Sequence, residues 1–467
     1  MISILTVSQR LRPLAILAIA ILMSSCGGSS DAGPGGDSTP VTPVTSVTLQ
    51  SVSVTPSPFI TGVGVARRLT ATGTFSDGST ADLGANAVWT SLTPSVATVS
   101  AGLVTGVALG PATISVSSAG VSASIVVNVT TNTWAPAGTM LQPVSSFTMT
   151  MLTSGKVLSS GSDGLSSDAE IYDPDKDAWS ATEAQRFGRI GQTATLLLNG
   201  KVLVAGGGDH RQSLPDSVTY DPTSNSWSTM LVSMLSGRIG HTATLLPNGN
   251  VLVAGGATFP LSTTPSEELY DPTANAWSAA AVMTSARTWH TATLLPNGKV
   301  FVVGGYASLN NTVSSAETYD PGSNTWTAAA NMAIARNQHT ATLLPNGKVL
   351  VTGGQSTTGN PYAPLSSAEI YDPNTDAWSS AGNMASPRTK HAAIVLPNGK
   401  VLVFGGSATL NGSLASAEIY DPAANSWSPA ASMATPRSAP MAVLLKNGAT
   451  LVCGETTGAG TSCELYW

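Results

Sequence analysis

Three residue types recur at fixed spacing in this 467-residue chain and have the makings of acid–base chemistry. Arginine stands at Arg189, Arg238, Arg287, Arg336, Arg388 and Arg437. Histidine follows three residues later at His241, His290, His339 and His391. Glutamate sits two residues before a tyrosine at Glu170, Glu268, Glu317, Glu369, Glu418 and Glu464. Carboxylate and imidazole groups within reach of one another can move protons. Their repetition argues against that use. A catalytic site needs one asymmetric set, whereas a repeat needs one interaction made many times. The expectation is therefore Arg–Glu or Arg–backbone contacts inside a scaffold. Residues that break the pattern are better candidates for ligand binding: His210 and Arg211, Phe259, Trp289, Tyr306 and Tyr362. Exposed aromatics of this kind suit sugar rings or serve as anchors for a protein partner. No metal-spaced cluster and no nucleophile motif appears, so no catalytic residue, metal ligand or cofactor is expected.

The elements that must position these residues follow from a repeat of about fifty residues. Tyr-Asp-Pro recurs at Tyr172, Tyr220, Tyr270, Tyr319, Tyr371 and Tyr420, with a tryptophan seven residues after each. Asn-Gly pairs recur from Asn199-Gly200 to Asn447-Gly448, and double glycines from Gly206-Gly207 to Gly405-Gly406. One copy reads as four strands. Thr340 to Leu344 is strand A, Lys348 to Val351 strand B, Ser367 to Tyr371 strand C, and Asp376 to Ser379 strand D. Asn346-Gly347 is expected to turn A into B as a tight type I′ hairpin. The near-continuous apolar runs of A and B predict burial on both faces. Short antiparallel sheets repeated radially make a β-propeller. Seven A–B–C sets occur, and Trp134 precedes the first while no D strand follows the last. The prediction is seven blades, with the segment at Trp134 completing the final one.

Double glycine, then tyrosine, then tryptophan at this spacing closely resembles kelch repeats over residues 132–467. The resemblance implies that loops D–A and B–C share one face, opposite the Asn-Gly hairpins, and that partners bind there. In that frame Cys453 ends strand B of blade 7 and Cys463 lies in strand C. Neighbouring strands make a disulfide between them plausible. Kelch-type galactose and glyoxal oxidases supply an enzymatic alternative. They hold copper with two histidines and two tyrosines, one tyrosine cross-linked to cysteine. Four of the five histidines here are locked in the repeat, which disfavours that alternative.

Upstream, residues 46–131 show short alternating runs such as Val47 to Val54, Leu69 to Phe75 and Ala123 to Val129. Ser76-Asp77-Gly78-Ser79-Thr80 is a hairpin turn between two of them. Phe75 to Thr80, Val88-Trp89, Val96 to Val99, Gly102 to Val107 and Gly110 to Val116 resemble the bacterial Ig-like group 2 domain. That implies a β-sandwich, with Trp89 in its core and a spacer or adhesive role.

The N-terminus reads as an address. Arg10 and Arg12 precede the apolar run Leu14 to Met23, then Ser24-Ser25-Cys26-Gly27-Gly28. This resembles a bacterial lipoprotein signal, which implies cleavage after residue 25, lipidation of Cys26 and, from Gly27, outer-membrane sorting. Residues 26–45 are Gly, Ser, Asp, Thr and Pro in large part, a flexible tether.

Only 10% of residues are charged, with 20 Lys+Arg against 26 Asp+Glu. That excludes a charge-driven disordered chain and a basic nucleic-acid binder. The sequence thus predicts an all-β protein: an N-terminal Ig-like β-sandwich followed by a seven-bladed kelch-type β-propeller. The expected role is non-enzymatic, a lipid-anchored envelope protein whose propeller binds a protein or polysaccharide. Its expected partners are that ligand and the membrane, not nucleic acid.

Overall fold

The repeat folds into seven antiparallel sheets arranged in a ring, six of four strands and one, in blade 2, with a fifth short strand, Val232–Ser233. The computed structural model describes residues 46–467 apart from 145, 162–168, 184–187, 210, 229–231, 260–261, 264–265, 309–310, 358–362, 410–411 and 455–459. The signal, Cys26, the tether, His210 and Tyr362 therefore lie outside the described residues. Blade 5 is representative. Strand A is Thr340–Leu343, B is Val349–Thr352, C is Ser367–Asp372 and D is Ala377–Asn383, hydrogen-bonded in that order. Each strand A touches strand A of the next blade, and that of blade 7, Met441–Leu444, touches Thr148–Met151 of blade 1.

The ring closes through the N-terminal strand. Trp134–Ala137 pairs antiparallel with Cys463–Tyr466, so blade 7 takes its strand D from the start of the domain. The same motif chemistry operates across this joint as within every other blade. The Tyr220 hydroxyl donates to Asn225 Oδ1 at 2.7 Å, five residues on, and the Tyr319 hydroxyl to Asn324 Oδ1 at 3.0 Å. In blade 7 the Tyr466 hydroxyl finds the equivalent acceptor in Asn132 Oδ1 at 2.9 Å. Each tryptophan then reaches backward. Trp326 Nε1 donates to Ala281 O at 2.8 Å, and Trp134 Nε1 to Ala431 O at 2.7 Å. The Tyr–Trp motif therefore fastens a C–D turn and stitches it to the previous blade. Cys453 and Cys463 face each other across strands B and C of blade 7 and form a disulfide.

Strand B is buried along its whole length, as in Val300–Val303, because neighbouring sheets sandwich it. Between blades 4 and 5, Phe301 and Val303 pack on Val349, Val351 and Tyr371. Each such side chain contributes about 1.5–3 kcal/mol by leaving water. Strand A departs from the expected burial. Thr340–Leu343 is only half-buried, because strand A faces the central channel instead of a second sheet.

The hairpins also differ from the type I′ turn expected. Gly347 has φ +81°, but Asn346 is not left-handed. Leu344 N–H donates to Lys348 O and Gly347 N–H to Leu344 O. This is a three-residue loop with a type I turn and a left-handed glycine bulge. Pro345 suits this loop but does not dictate it, because the same bonds form in blades 2 and 7, where Leu198 and Lys446 stand in its place. Proline presets φ near −65° at the first central position of a type I turn.

The Ig-like region is built from three small sheets. Phe59–Gly62, Val121–Thr130, Gly110–Ser118 and Val88–Ser91 form one, and Leu49–Thr55, Thr70–Phe75 and Thr80–Asp82 a second. Ala66–Arg68, Leu103–Gly106 and Ala97–Ser100 complete it. Phe59, Leu69, Val104, Ile114 and Val127 are the core, with Trp89 packed half-buried against it. The region sits on the hairpin face of blades 7 and 1. Trp467 lies against Gly62 and donates to Thr130 Oγ1 at 3.1 Å. Arg67 stacks between Phe59 and Trp467 and pairs with Asp177 at 3.1 Å. Asn447 Nδ2 donates to Ala66 O at 3.0 Å. The opposite face, which carries the D–A and B–C loops, points away from this contact.

Candidate functional site

The repeated charges are scaffold. Arg287, fully buried, donates through Nη1 to Gly304 O and Ser315 O and through Nη2 to Glu317 at 2.8 Å. Glu317 in turn accepts the N–H groups of Thr284 and Ser285 at 2.7 and 3.2 Å. One pair thus ties the D–A loop, strand B and strand C together. It recurs as Arg238–Glu268, Arg336–Glu369, Arg388–Glu418 and Arg437–Glu464. Blade 2 departs from it. Arg189 is buried but Val218 occupies the glutamate position, and Arg189 Nε and Nη2 have no partner among the described residues.

The histidines join one blade to the next. His241 Nε2 meets Thr193 Oγ1 of the preceding blade at 3.0 Å, and its ring fills the space left by Gly206. His290, His339 and His391 repeat this with Thr242, Thr291 and Thr340. Burial, and the arginine three residues earlier, hold the imidazoles neutral, with pKa values of about 3 for His241, His339 and His391. Other residues fill the same slot in the remaining blades: Phe147, Gln192 and Pro440, each against a glycine of the previous blade.

Immediately before the slot lies a position that organises the mouth of the channel. Ser146, Gly191, Gly240, Trp289, Gln338, Lys390 and Ala439, one per blade, all have left-handed φ between 51° and 65°. Five of them form a backbone chain around the channel. Trp289 N–H donates to Gly240 O, Gln338 to Trp289, Lys390 to Gln338 and Ala439 to Lys390, at 2.9–3.4 Å. The backbone conformation repeats at these seven positions, while the side chains they carry do not.

This variation makes a pocket. Ser146, Gly191 and Gly240 leave one side of the mouth open, and a depression of about 320 Å³ forms there. Ile190, Ile239 and Met441 supply apolar walls, and Trp289 closes one end. A side chain on Gly240 would begin 2.5 Å from Thr288 Oγ1 and 3.1 Å from the Trp289 indole, so the glycine gives both residues room. The indole remains 41% exposed. No Asp, Glu, Lys or Arg lines the pocket among the described residues. Its two histidines, His241 and His290, are held uncharged by burial.

Of the residues expected to bind ligand, Trp289 alone lies in this pocket among those described. Tyr306 belongs to the B–C hairpin of blade 4, half-buried, and its hydroxyl accepts from Gln355 Nε2 at 3.0 Å. It braces one hairpin against the next. Phe259, 52% exposed, stands near the tip of the blade 3 hairpin. Arg211 is exposed on a turn of blade 2 capped by Asp209, which accepts its N–H at 3.0 Å. Sequence reasoning missed Gly191, Gly240 and Gln192. The histidine row carried one signal, since Gln192 interrupts it. Among the described residues no group of three or more His, Cys, Asp or Glu is arranged to hold a metal.

Fold and mouth together define a kelch-type propeller preceded by an Ig-like module. Comparison with known proteins agrees. Residues 240–454 match the KLHDC2/KLHL20/DRC7 Kelch-repeats domain, and residues 48–129 match the bacterial Ig-like domain (group 2). Ice-binding protein 1 of Shewanella frigidimarina (strain NCIMB 400) is 43% identical over 84 residues, which are 18% of this chain and 9% of that protein. The chain thus spans under a tenth of that relative's length. YjhT superposes with a TM-score of 0.51 at 16% identity, over 63% of this chain and 99% of its own. A fungal alcohol oxidase of the AA5 family, in complex with copper, gives 0.57 at 18% identity, over 72% and 76%. These likenesses show the fold alone. Kelch and Ig-like domains fit a binding or recognition role.

Proposed function

We propose that this chain is a cell-surface recognition lipoprotein, anchored through Cys26 at the bacterial outer membrane. Its propeller mouth binds a protein or carbohydrate. The observation that carries the reading is the mouth pocket, where two glycines in the ring open a space and an exposed Trp289 walls it. A buried-edged apolar pocket with a few polar groups is the usual form of a ligand site. The mouth also lies on the face opposite the Ig-like module, so that module leaves it unobstructed. The test is binding of the purified chain to a panel of glycans and secreted proteins. Binding that disappears in Trp289→Ala supports the reading, and binding indifferent to every change on this face refutes it.

The copper oxidase alternative requires histidine, tyrosine and cysteine ligands that converge. Here four histidines are engaged between blades, and Cys453 is bonded to Cys463. Copper uptake with a tyrosyl-radical signal would establish that alternative over ours.

A further inference from the structure

The mouth pocket is lined by three side chains with a polar atom that lacks a partner among the described residues, His241 and His290 through Nδ1 and Gln192 through its amide oxygen. Gln192 is only 6% exposed and lines the pocket. Its Nε2 donates to Ser160 O at 2.9 Å, while its Oε1 has no partner among the described residues. Leaving a buried acceptor unpaired is costly; the oxygen is occluded as it stands, and a ligand that donates to it once the amide turns toward the pocket recovers that cost. The slot holds Phe147 and Pro440 in two other blades, so among the three departures from histidine Gln192 is the one with an amide. Four blades place histidine here and use it to bond the preceding blade, so the chain departs from its own repeat at the pocket wall.

We propose that this pocket takes one ring of an uncharged glycan, stacked on Trp289 and donating a hydroxyl proton to Gln192 Oε1. The proposal rests on the binding reading above and names the ligand class. Three features of the pocket select that class. The exposed indole offers a flat apolar platform, which matches the C–H face of a sugar ring. The orphaned amide oxygen requires a donor, which an aliphatic or phenyl side chain of a peptide does not bring. No ionised side chain lines the pocket, so a carboxylate, sulfate or ammonium group entering it would lose its hydration without a counter-charge. At about 320 Å³ the pocket lies at the small end of ligand sites, which suits a single saccharide unit of a longer chain.

The test is a glycan array probed with the purified full chain. It carries neutral glucans, mannans and galactans, matched glycans bearing uronate, sulfate or sialic acid, and a set of peptides and secreted proteins. Affinities follow by calorimetry on the neutral oligosaccharide that binds. Trp289→Ala should weaken binding by more than about tenfold. Gln192→His, which installs the residue that four other blades accommodate, should weaken it by about tenfold while leaving the melting temperature within a few degrees. Phe259→Ala, outside the pocket, should change nothing. Binding of neutral glycans with that pattern supports the proposal. Binding confined to charged glycans overturns it, as does neutral-glycan binding indifferent to both pocket variants. If only peptides or proteins bind, and Trp289→Ala abolishes that, the glycan proposal fails while the recognition reading stands. If no probe binds, or none responds to changes at the mouth, both fail.

Discussion

Acid should weaken this propeller through its histidines, and His391 measures by how much. The imidazole is 6% exposed, wedged against Gly353 of the preceding blade and in contact with Thr340 and Thr352. Burial, then Arg388, push its pKa from the ordinary 6.5 to about 3, with Arg336 adding a smaller push. The unfolded chain therefore takes up a proton below pH 6.5 that the folded chain refuses until about pH 3. The stabilisation is complete above 6.5 and drains away as pH falls. At pH 5 the gap is 1.5 units, or about 2 kcal/mol for this residue. His241 and His339 have the same shift, so the three together remove about 6 kcal/mol, and His290 moves in the same direction. Glu267 works against them. Burial raises its carboxyl to about 8, so it stays protonated in the fold and favours the folded state as pH drops toward 4.5. A single-site comparison cancels that contribution. Gln192 shows that glutamine fits the slot, donating to the strand B carbonyl of Ser160. Urea unfolding of wild type and His391→Gln at pH 7.5 and pH 5.0 is the assay. The variant should lose about 2 kcal/mol less than wild type between the two. Equal losses, within about 0.5 kcal/mol, would refute the account of the histidine as a buried neutral strut.

Three further outcomes follow from the same contacts. Arg238→Met should cost about 3–5 kcal/mol, because it strands Glu268 as a buried unpaired charge, whereas Arg189→Met should cost clearly less, since among the described residues no buried carboxylate is bonded to its guanidinium. Thermal melts of the two variants decide this, and equal costs would mean that the pairing is irrelevant. Reducing Cys453–Cys463 opens a loop with a sequence separation of 10 and should lower stability by roughly 2–3 kcal/mol, read as a lower melting temperature under reductant. Trp467→Ala removes the indole that sits between Gly62, Arg67 and Thr130, so limited proteolysis should cut the 131–133 connection faster while ligand binding at the mouth is unchanged.

How much of this was legible in the sequence depends on whether a feature repeats. Arg–Glu pairing was readable because six near-copies of one spacing exclude a single catalytic set, and five of those arginines do bond their glutamates. Ring closure was readable because an unmatched tryptophan at 134 and an unmatched strand set at the end require each other. The hairpins were misread at the Asn-Gly pairs. Asn-Gly alone favours a two-residue turn, but each Asn-Gly hairpin here closes one residue wider, with a proline before it, as at Pro345, or without one, as at Leu198. Strand A was misread because an apolar run does not reveal whether its second face meets a sheet or a channel.

The pocket was harder to see for a different reason. Aromatic and charged loop residues draw the eye, yet Tyr306 is spent on Gln355, and Phe259 and Arg211 stand outside the depression. What creates the site is subtraction. A ring of seven left-handed positions tolerates many side chains, because hydrogen bonds between successive backbones hold five of them. Fold stability therefore places little demand on which residue occupies each position, and the mouth is free to be shaped blade by blade. Removing side chains at 191 and 240 opens space, and Gly240 gives Thr288 and Trp289 room. Filling position 191 should close the mouth with little effect on the scaffold if the new residue accepts the left-handed backbone, whereas at 240 a side chain would also press on buried Thr288. Asparagine accepts that backbone. Gly191→Asn, which meets nothing nearer than Ile239 at 3.6 Å, should fold like wild type and lose ligand, whereas Gly240→Asn should also displace the indole. A Gly191→Asn protein that keeps full binding would show that the ligand sits elsewhere on the face.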